Sequence, residues 1–181
     1  RDRGYLPEAV LNYISFLGWN PGTDQEIFSK EGLIKDFDLN KVQKGAAIFD
    51  QVKLDWFNRE YLKRLAPTDL REKLAPFVPA KALPLADILR ERVNNLKEAG
   101  DIIESGEFDF FFSAPEPTKD LLKEGKFLTG TINLLEQLSE KDFETEKIKN
   151  QLWDFATQEG RAEVLWPMRV ALTGQAKSPD P

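Results

Sequence analysis

Residues 50–65 read Asp50-Gln51-Val52-Lys53-Leu54-Asp55-Trp56-Phe57-Asn58-Arg59-Glu60-Tyr61-Leu62-Lys63-Arg64-Leu65. Leu54, Phe57, Tyr61 and Leu65 recur at spacings of three and four, and Trp56 and Leu62 widen the stripe. Lys53, Arg59, Lys63 and Arg64 lie mainly off it. A period near 3.6 sustained over the whole stretch is that of an amphipathic helix with one buried and one solvated face.

The same period runs outward in both directions. Upstream, Leu6, Val10, Ile14 and Leu17, with Tyr13 alongside, predict a helix over 6–17. Pro7 falls in its first turn, where a missing N–H costs nothing, and Gly18 stops it. Asn20-Pro21-Gly22-Thr23-Asp24 reads as a turn cluster, and Ser29 as the N-cap of a short helix to about Phe37. Another short element ends near Val42, and Lys44-Gly45-Ala46 reads as a loop. Downstream, Pro67-Thr68 marks a break before a short helix carrying Leu70, Leu74 and Phe77. The stretch 76–84 has three prolines and no acidic residue, so it reads as the internal boundary.

Beyond it, 85 to about 103 reads as one longer helix burying Ile88, Leu89, Val93, Leu96 and Ala99. Residues 108–112 have no clean period and suit a short buried helix or a strand. Thr118 is placed to cap a helix to Glu124. Leu128, Ile132, Leu135 and Leu138 mark another helix, and Phe143, Ile148, Leu152 and Phe155 a further one. Residues 164–172 form the last, closed by Thr173-Gly174, and 177–181 read as loop. The pattern predicts an all-α, bundle-like architecture in two packed helical subdomains, 1–80 and 81–181.

Composition narrows the chemistry. The 181 residues include no cysteine and no histidine, which removes disulfides, thiolate and imidazole metal sites and every nucleophile–histidine arrangement. No paired carboxylates sit in an apolar frame that would raise a pKa. No glycine-rich phosphate loop occurs, and no acidic spacing suits a divalent metal. Asp101, Glu104, Glu107 and Asp109 read as a solvated face, and Phe110-Phe111-Phe112 as core or subdomain interface. No run approaches the 18 apolar residues of a membrane span. The absence of cysteine suits the cytosol. The start, Arg1-Asp2-Arg3-Gly4, reads as a chain resuming in mid-protein.

The net charge of −6 hides an uneven distribution. Residues 1–99 carry 16 basic and 15 acidic side chains, net +1, whereas residues 100–181 carry 9 and 16, net −7. Between Lys53 and Lys97 the balance is 10 to 6, net +4. Polyanion binding needs a local positive surface, and the whole-chain sum does not measure it. The candidates are Lys53, Arg59, Lys63, Arg64, Arg90, Arg92 and Lys97, a set that equally suits a plain solvated face. Arg92 is four residues after Ile88 and four before Leu96, so a continuous helix would put it at the edge of the buried stripe. Its planar fork would there be held by packing, aimed at a base edge or at a carboxylate of a neighbouring helix.

Several segments resemble the glutamyl-tRNA synthetase family. Residues 4–13, then Leu17-Gly18-Trp19 and Glu26-Ile27-Phe28-Ser29, are similar to the helix that follows the family's ATP-loop lysine motif. Phe49-Asp50, Lys53-Leu54-Asp55-Trp56-Phe57-Asn58 and Tyr61 resemble its stem-contact region. Pro167-Met168-Arg169-Val170-Ala171-Leu172-Thr173-Gly174 and Ser178-Pro179 resemble its C-terminal signature. The resemblance implies tRNA-Glu as partner, with neither DNA nor a membrane. It implies stem or phosphate contact by Lys53, Arg59, Lys63, Arg64, Arg90 and Lys97 and reading of the first anticodon base by Arg92. After that arginine the family usually has a Lys-Thr pair where this chain has Asn94-Asn95.

It further implies that glutamate activation, with ATP and Mg, belongs to an N-terminal Rossmann-like domain continuous with this chain, which holds no cofactor itself. On that expectation the isolated chain is inactive, its parent is a ligase, and its C-terminus is truncated. The acidic C-terminal half and the missing catalytic motifs leave one alternative, a helical interaction or regulatory module that has kept the scaffold and lost tRNA binding.

Overall fold

Pro7 opens α1 (Pro7–Phe16) at its first position, and Leu6 stands before it in extended conformation. Ser29 Oγ accepts the Gly32 N–H at 3.0 Å and caps α2 (Lys30–Asp36). Asp50 does the same for α3 (Gln51–Arg64), accepting the Lys53 N–H at 3.2 Å. These caps supply acceptors for donors that a helix start leaves open. A computed structural model describes residues 2–45, 48–176 and 178. Ala46 of the expected loop, Pro179 of the C-terminal signature and most of the expected loop 177–181 lie outside those residues.

Among the described residues the regular structure is helical, with ten α-helices, four 3-10 turns and one isolated antiparallel bridge, Trp19 to Val42. After α3 come α4 (Pro67–Leu74), α5 (Ala86–Arg92), α6 (Leu96–Glu104), α7 (Lys119–Leu122), α8 (Leu128–Glu136), α9 (Thr145–Glu159) and α10 (Arg161–Thr173). The all-α expectation holds. No helix is long and apolar enough to cross a membrane among the described residues.

The chain forms two compact units, Arg1–Gly106 and Glu107–Pro181. The proline-rich stretch falls inside the first, where 76–84 leads into a 3-10 turn (Ala80–Leu85) with Ala82 fully buried, packed on α4 and α5. Proline there fixes φ and ends one helix without ending the core. In this unit α3 packs on α1 and α5, burying Tyr13, Phe57, Leu62 and Leu89. Full burial of such side chains is worth about 1.5–3 kcal/mol each. Trp19, Phe28 and Leu33 make an adjoining cluster against Phe16.

The second unit is built on α10, which packs on α7, α8 and α9. Val164, Met168 and Val170 of α10 and Leu152 and Ala156 of α9 are buried. Gly174 closes α10 in left-handed conformation, its N–H returning to Val170 O at 2.7 Å. Residues 108–112 form a 3-10 turn (Asp109–Phe111) with Phe108 buried. Ile132 and Phe143, expected on buried stripes, are exposed; Thr131 takes the buried place on α8 and returns its hydroxyl to Phe127 O at 3.0 Å. The helix capped by Thr118 stops at Leu122 and not at Glu124, because Lys123 adopts φ +55°.

The expected helix 85–103 is broken. α5 ends at Arg92, Val93 turns to extended conformation (φ −117°, ψ 152°), and α6 starts at Leu96. Asn95 Oδ1 accepts the Glu98 N–H at 3.1 Å, while the Glu98 carboxylate accepts from Asn94 N at 2.7 Å and Asn95 Nδ2 at 2.8 Å. This is a reciprocal cap, with an acidic residue three positions after the N-cap. A pattern of buried positions spaced for one helix is thus met by two.

Candidate nucleic-acid interface

The buried stripe of α3 faces α1 and leaves an outer face bearing Lys53, Arg59, Lys63 and Arg64, all exposed, beside Val52 and Trp56. Lys53 Nζ is 3.0 Å from Glu26 Oε1 and lies 5.9 Å from the Phe57 ring centroid. Lys63 Nζ is 3.0 Å from Glu60 Oε1 one turn back. Exposed pairs of this kind are worth about 0–1 kcal/mol, so a phosphate competes for these lysines at little cost. Arg59, Arg64 and Lys97 are exposed and make no ion pair among the described residues. The α3 face therefore offers four cations, two of them screened by a carboxylate, and α6 adds Lys97.

Of the two arginines of α5, Arg90 is the one held by packing, its side chain 19% exposed. Its Nη2 lies 2.9 Å from Asp87 Oδ1, Nη1 donates to Leu65 O at 3.3 Å, and Nε is buried without a hydrogen-bond partner. Arg92 is exposed, the last residue of α5. The four-residue relation to Leu96 fails because the helix ends between them. Arg90 thus ties α5 to the end of α3, and Arg92 stands at the exposed C-terminus of the helix.

Behind this surface lies a layer of buried polar groups that hydrophobic periodicity does not show. Asn58, fully buried on α3, accepts the Leu6 N–H at 2.8 Å and donates to Asn94 O at 2.5 Å. Asn12, equally buried, accepts from Phe28 N and from the Tyr61 hydroxyl, each at 2.8 Å. Tyr5 donates to Asp55, and Gln51 Nε2 reaches Tyr5 Oη at 2.6 Å and Asp55 Oδ1 at 2.9 Å. Burial first, and then the Asp55 carboxylate, push the Tyr5 hydroxyl up to about 12. Burial also raises Tyr61. Both therefore remain neutral donors at physiological pH. Among the described residues no three His, Cys, Asp or Glu side chains gather into a metal-holding group.

The second unit carries a basic–aromatic cluster that charge counting missed. Lys123 Nζ lies 5.4 Å and the Arg169 guanidinium 5.0 Å from the Trp166 ring centroid, and Lys126 Nζ is 4.8 Å from that of Phe127. Trp166 Nε1 donates to Leu121 O at 2.9 Å, which pins the indole. Lys123, Lys126, Phe127 and Trp166 line a cleft of about 560 Å³ that Glu124 and Glu163 also enter. The Trp-x-x-Arg spacing on α10 signals this cluster in the sequence, and the net charge of −7 obscures it.

Residues 40–181 match the family model described as an anticodon binding domain, and residues 1–56 match that of the class I tRNA synthetase (E and Q) catalytic domain. The two overlap at the start of α3. The chain is 36% identical over 198 residues to a glutamate–tRNA ligase of Clostridium botulinum, covering 98% of this chain and 39% of the relative. The counterpart from Flavobacterium johnsoniae is 33% identical over 201 residues, covering 99% and 38%. Among solved structures, a glutamate tRNA ligase from Elizabethkingia meningosepticum superposes with TM-score 0.72 at 32% identity, covering 99% of this chain and 38% of that one. A glutamate-tRNA synthetase from Elizabethkingia anophelis gives the same TM-score at 31% identity, covering 99% and 37%. The chain thus spans about two-fifths of the length of the relatives it matches.

Proposed function

The chain belongs to the anticodon-binding domain family, and from that premise we propose that it is the tRNA-reading portion of a glutamate–tRNA ligase and binds tRNA-Glu. The observation that carries this reading is the family match over 40–181, which contains every cation of the α3, α5 and α6 surface. In the proposed arrangement Lys53, Arg59, Lys63, Arg64 and Lys97 contact stem phosphates and set the register of the tRNA. Such contacts position and carry no sequence information. Arg92 reads an anticodon base: its planar fork presents paired donors to the acceptor edge of a cytosine, and an exposed residue at a helix end can be reached by an unstacked base. Arg90 braces α5 against Leu65.

The complete reaction, ATP-dependent attachment of glutamate to tRNA in the cytoplasm, is assigned to the longer protein. ATP and Mg bind there in a Rossmann-like domain, and residues 1–56 supply the part adjoining the tRNA-reading helices. No step with ATP is assigned to side chains of this chain.

Filter binding by the full-length ligase, with transcripts bearing the glutamate or the glutamine anticodon, tests the assignment. Arg92→Ala should cost the glutamate transcript roughly 5- to 150-fold, the worth of one bidentate base contact, and the glutamine transcript much less. Arg59→Ala and Arg64→Ala should weaken both transcripts alike and lower the salt slope by about one unit each. Equal loss for both transcripts in Arg92→Ala would overturn base reading. Binding that ignores salt would overturn the phosphate surface and return the chain to the interaction-module alternative.

A further inference from the structure

Arg92 occupies the last turn of a seven-residue helix. The final carbonyls of a helix have no partner within it, and such turns fray by default. A side chain that reads one base edge needs its backbone fixed to within about 0.5 Å. Something outside α5 must therefore hold its end.

Two residues beyond Arg92, the carbonyl of Asn94 receives Asn58 Nδ2 at 2.5 Å. Asn58 is fully buried, and its Oδ1 is taken by the Leu6 N–H at 2.8 Å. Its amide thus joins the exit of α5 to the entry of α1 through one rigid group. A second bond reinforces the same seam, from Leu96 N to Gly4 O at 3.0 Å. Gly4 has φ +71°, and a Cβ there would stand 2.6 Å from Lys97 N, so residues 4–6 lie directly on the α5–α6 junction. Residue 6 belongs to the segment matched by the catalytic-domain model, and residue 94 lies in the anticodon-binding match. Val93, between Arg92 and Asn94, is buried and extended, which leaves little slack in the connection.

We propose that Asn58 is the positioning residue for Arg92, fixing the end of α5 against residues 4–6. The inference rests on Arg92 reading an anticodon base. It adds that the reading depends on an amide remote from the RNA, and that occupancy of Arg92 is felt at the Leu6 and Leu96 N–H groups.

The test uses the full-length ligase and the ratio of dissociation constants for transcripts bearing the glutamine and the glutamate anticodon. Asn58→Ala should reduce that ratio by roughly tenfold or more, approaching Arg92→Ala. Asn58→Asp keeps the acceptor for Leu6 but sets a carboxylate oxygen against Asn94 O, and should reduce it similarly. Asn12→Ala is the control: it removes an equally buried amide from the same unit, bonded to Phe28 and Tyr61 and not to α5, and should leave the ratio unchanged. A folded Asn58 variant with the wild-type ratio overturns the inference, as does an equal fall in Asn12→Ala. Should the Asn58 variants not fold, hydrogen exchange in the wild-type protein decides. The Leu6 and Leu96 amides should slow with the glutamate transcript more than with the glutamine transcript, and identical exchange overturns the inference. If Arg92→Ala alone abolishes the ratio, only the role of Asn58 falls. If Arg92→Ala leaves the ratio intact, base reading falls and takes this inference with it.

Discussion

In the first unit Asn12, Tyr13, Asn58 and Tyr61 reach far along the sequence to backbone groups of other elements. In the second unit bonds of this kind include Trp166 to Leu121 and Gln175 to Glu107, and Arg161 and Arg169 stack on exposed or half-buried rings. The first also contains most of the fully buried large side chains, including Phe57, Leu62, Leu70, Leu74 and Leu89; the second contributes Phe108, Val164 and Val170. The difference teaches how helices of fewer than sixteen residues are held in place here. One unit fixes its backbone with buried polar clamps over a dense core, which suits a surface that must hold a register. The other relies on one organising helix and adaptable surface contacts.

The comparison can be broken most sharply at Phe57. Phe57→Ala should cost about 3–5 kcal/mol by the loss of burial and the cavity left behind. Urea unfolding followed by Trp153 and Trp166 in the second unit and by Trp19 and Trp56 in the first should then show the first unit melting earlier; coincident transitions would mean that the units unfold as one.

Packing density gives the next contrast. A Cβ on Gly100 would stand 2.6 Å from the carbonyl oxygen of Phe77, a backbone group that cannot yield; one on Gly130 would stand 2.8 Å from the tip of the Phe155 ring, which can. Gly100→Ala should destabilise by about 1–3 kcal/mol through overpacking. Gly130→Ala should come out near neutral, because alanine regains about 1 kcal/mol of helix propensity. Thermal midpoints of the two variants decide it.

Caps should differ more modestly. Asn95→Ala removes a reciprocal cap and should cost about 1–2 kcal/mol, whereas Thr118→Ala loses a single bond at 3.4 Å and should cost about 0.5 kcal/mol.

The smallest effect separates the units by pH. Tyr5 binds its proton more tightly folded than unfolded, so its contribution is complete below about pH 10 and is lost as pH rises toward 12. Tyr5→Phe should flatten the alkaline fall in stability, leaving the share of Tyr61. Asp142, held below the ordinary carboxylate range by hydrogen bonds from Lys147 and then Ser139, behaves oppositely. Its contribution is present above the usual carboxylate pKa and is lost as pH falls through the depressed value. Lys147→Ala should return its titration, followed by NMR, toward the ordinary range.

Much of this fold was legible because apolar period and capping chemistry act locally. Pro7, Ser29, Asp50 and Thr118 mark helix starts that the structure places within one residue. The break after Arg92 escaped the reading for a physical reason. Leu89, Val93 and Leu96 are all buried and spaced as in one helix, and only the Asn95-to-Glu98 cap reveals the interruption. For the same reason Arg92, expected at the edge of the buried stripe, is exposed at the end of α5. Buried amides such as Asn58 stayed hidden because periodicity counts apolar residues, while their value depends on partners distant in sequence. The cluster around Trp166 was masked by summing charge over a half-chain, since binding responds to local field.

The interruption between α5 and α6 also has an electrostatic consequence. A continuous helix would have cancelled its internal peptide dipoles and presented one terminus at each far end. Broken at 93–95, the chain gains a carbonyl-rich end beside Arg90 and Arg92 and an amide-rich start beside Glu98. Each end faces charge of the complementary sign, a favourable term of about 0.3–1 kcal/mol at an exposed terminus. The junction is thereby also a charge-matched seam, so reversing the sign of either partner disturbs the local field as well as a contact.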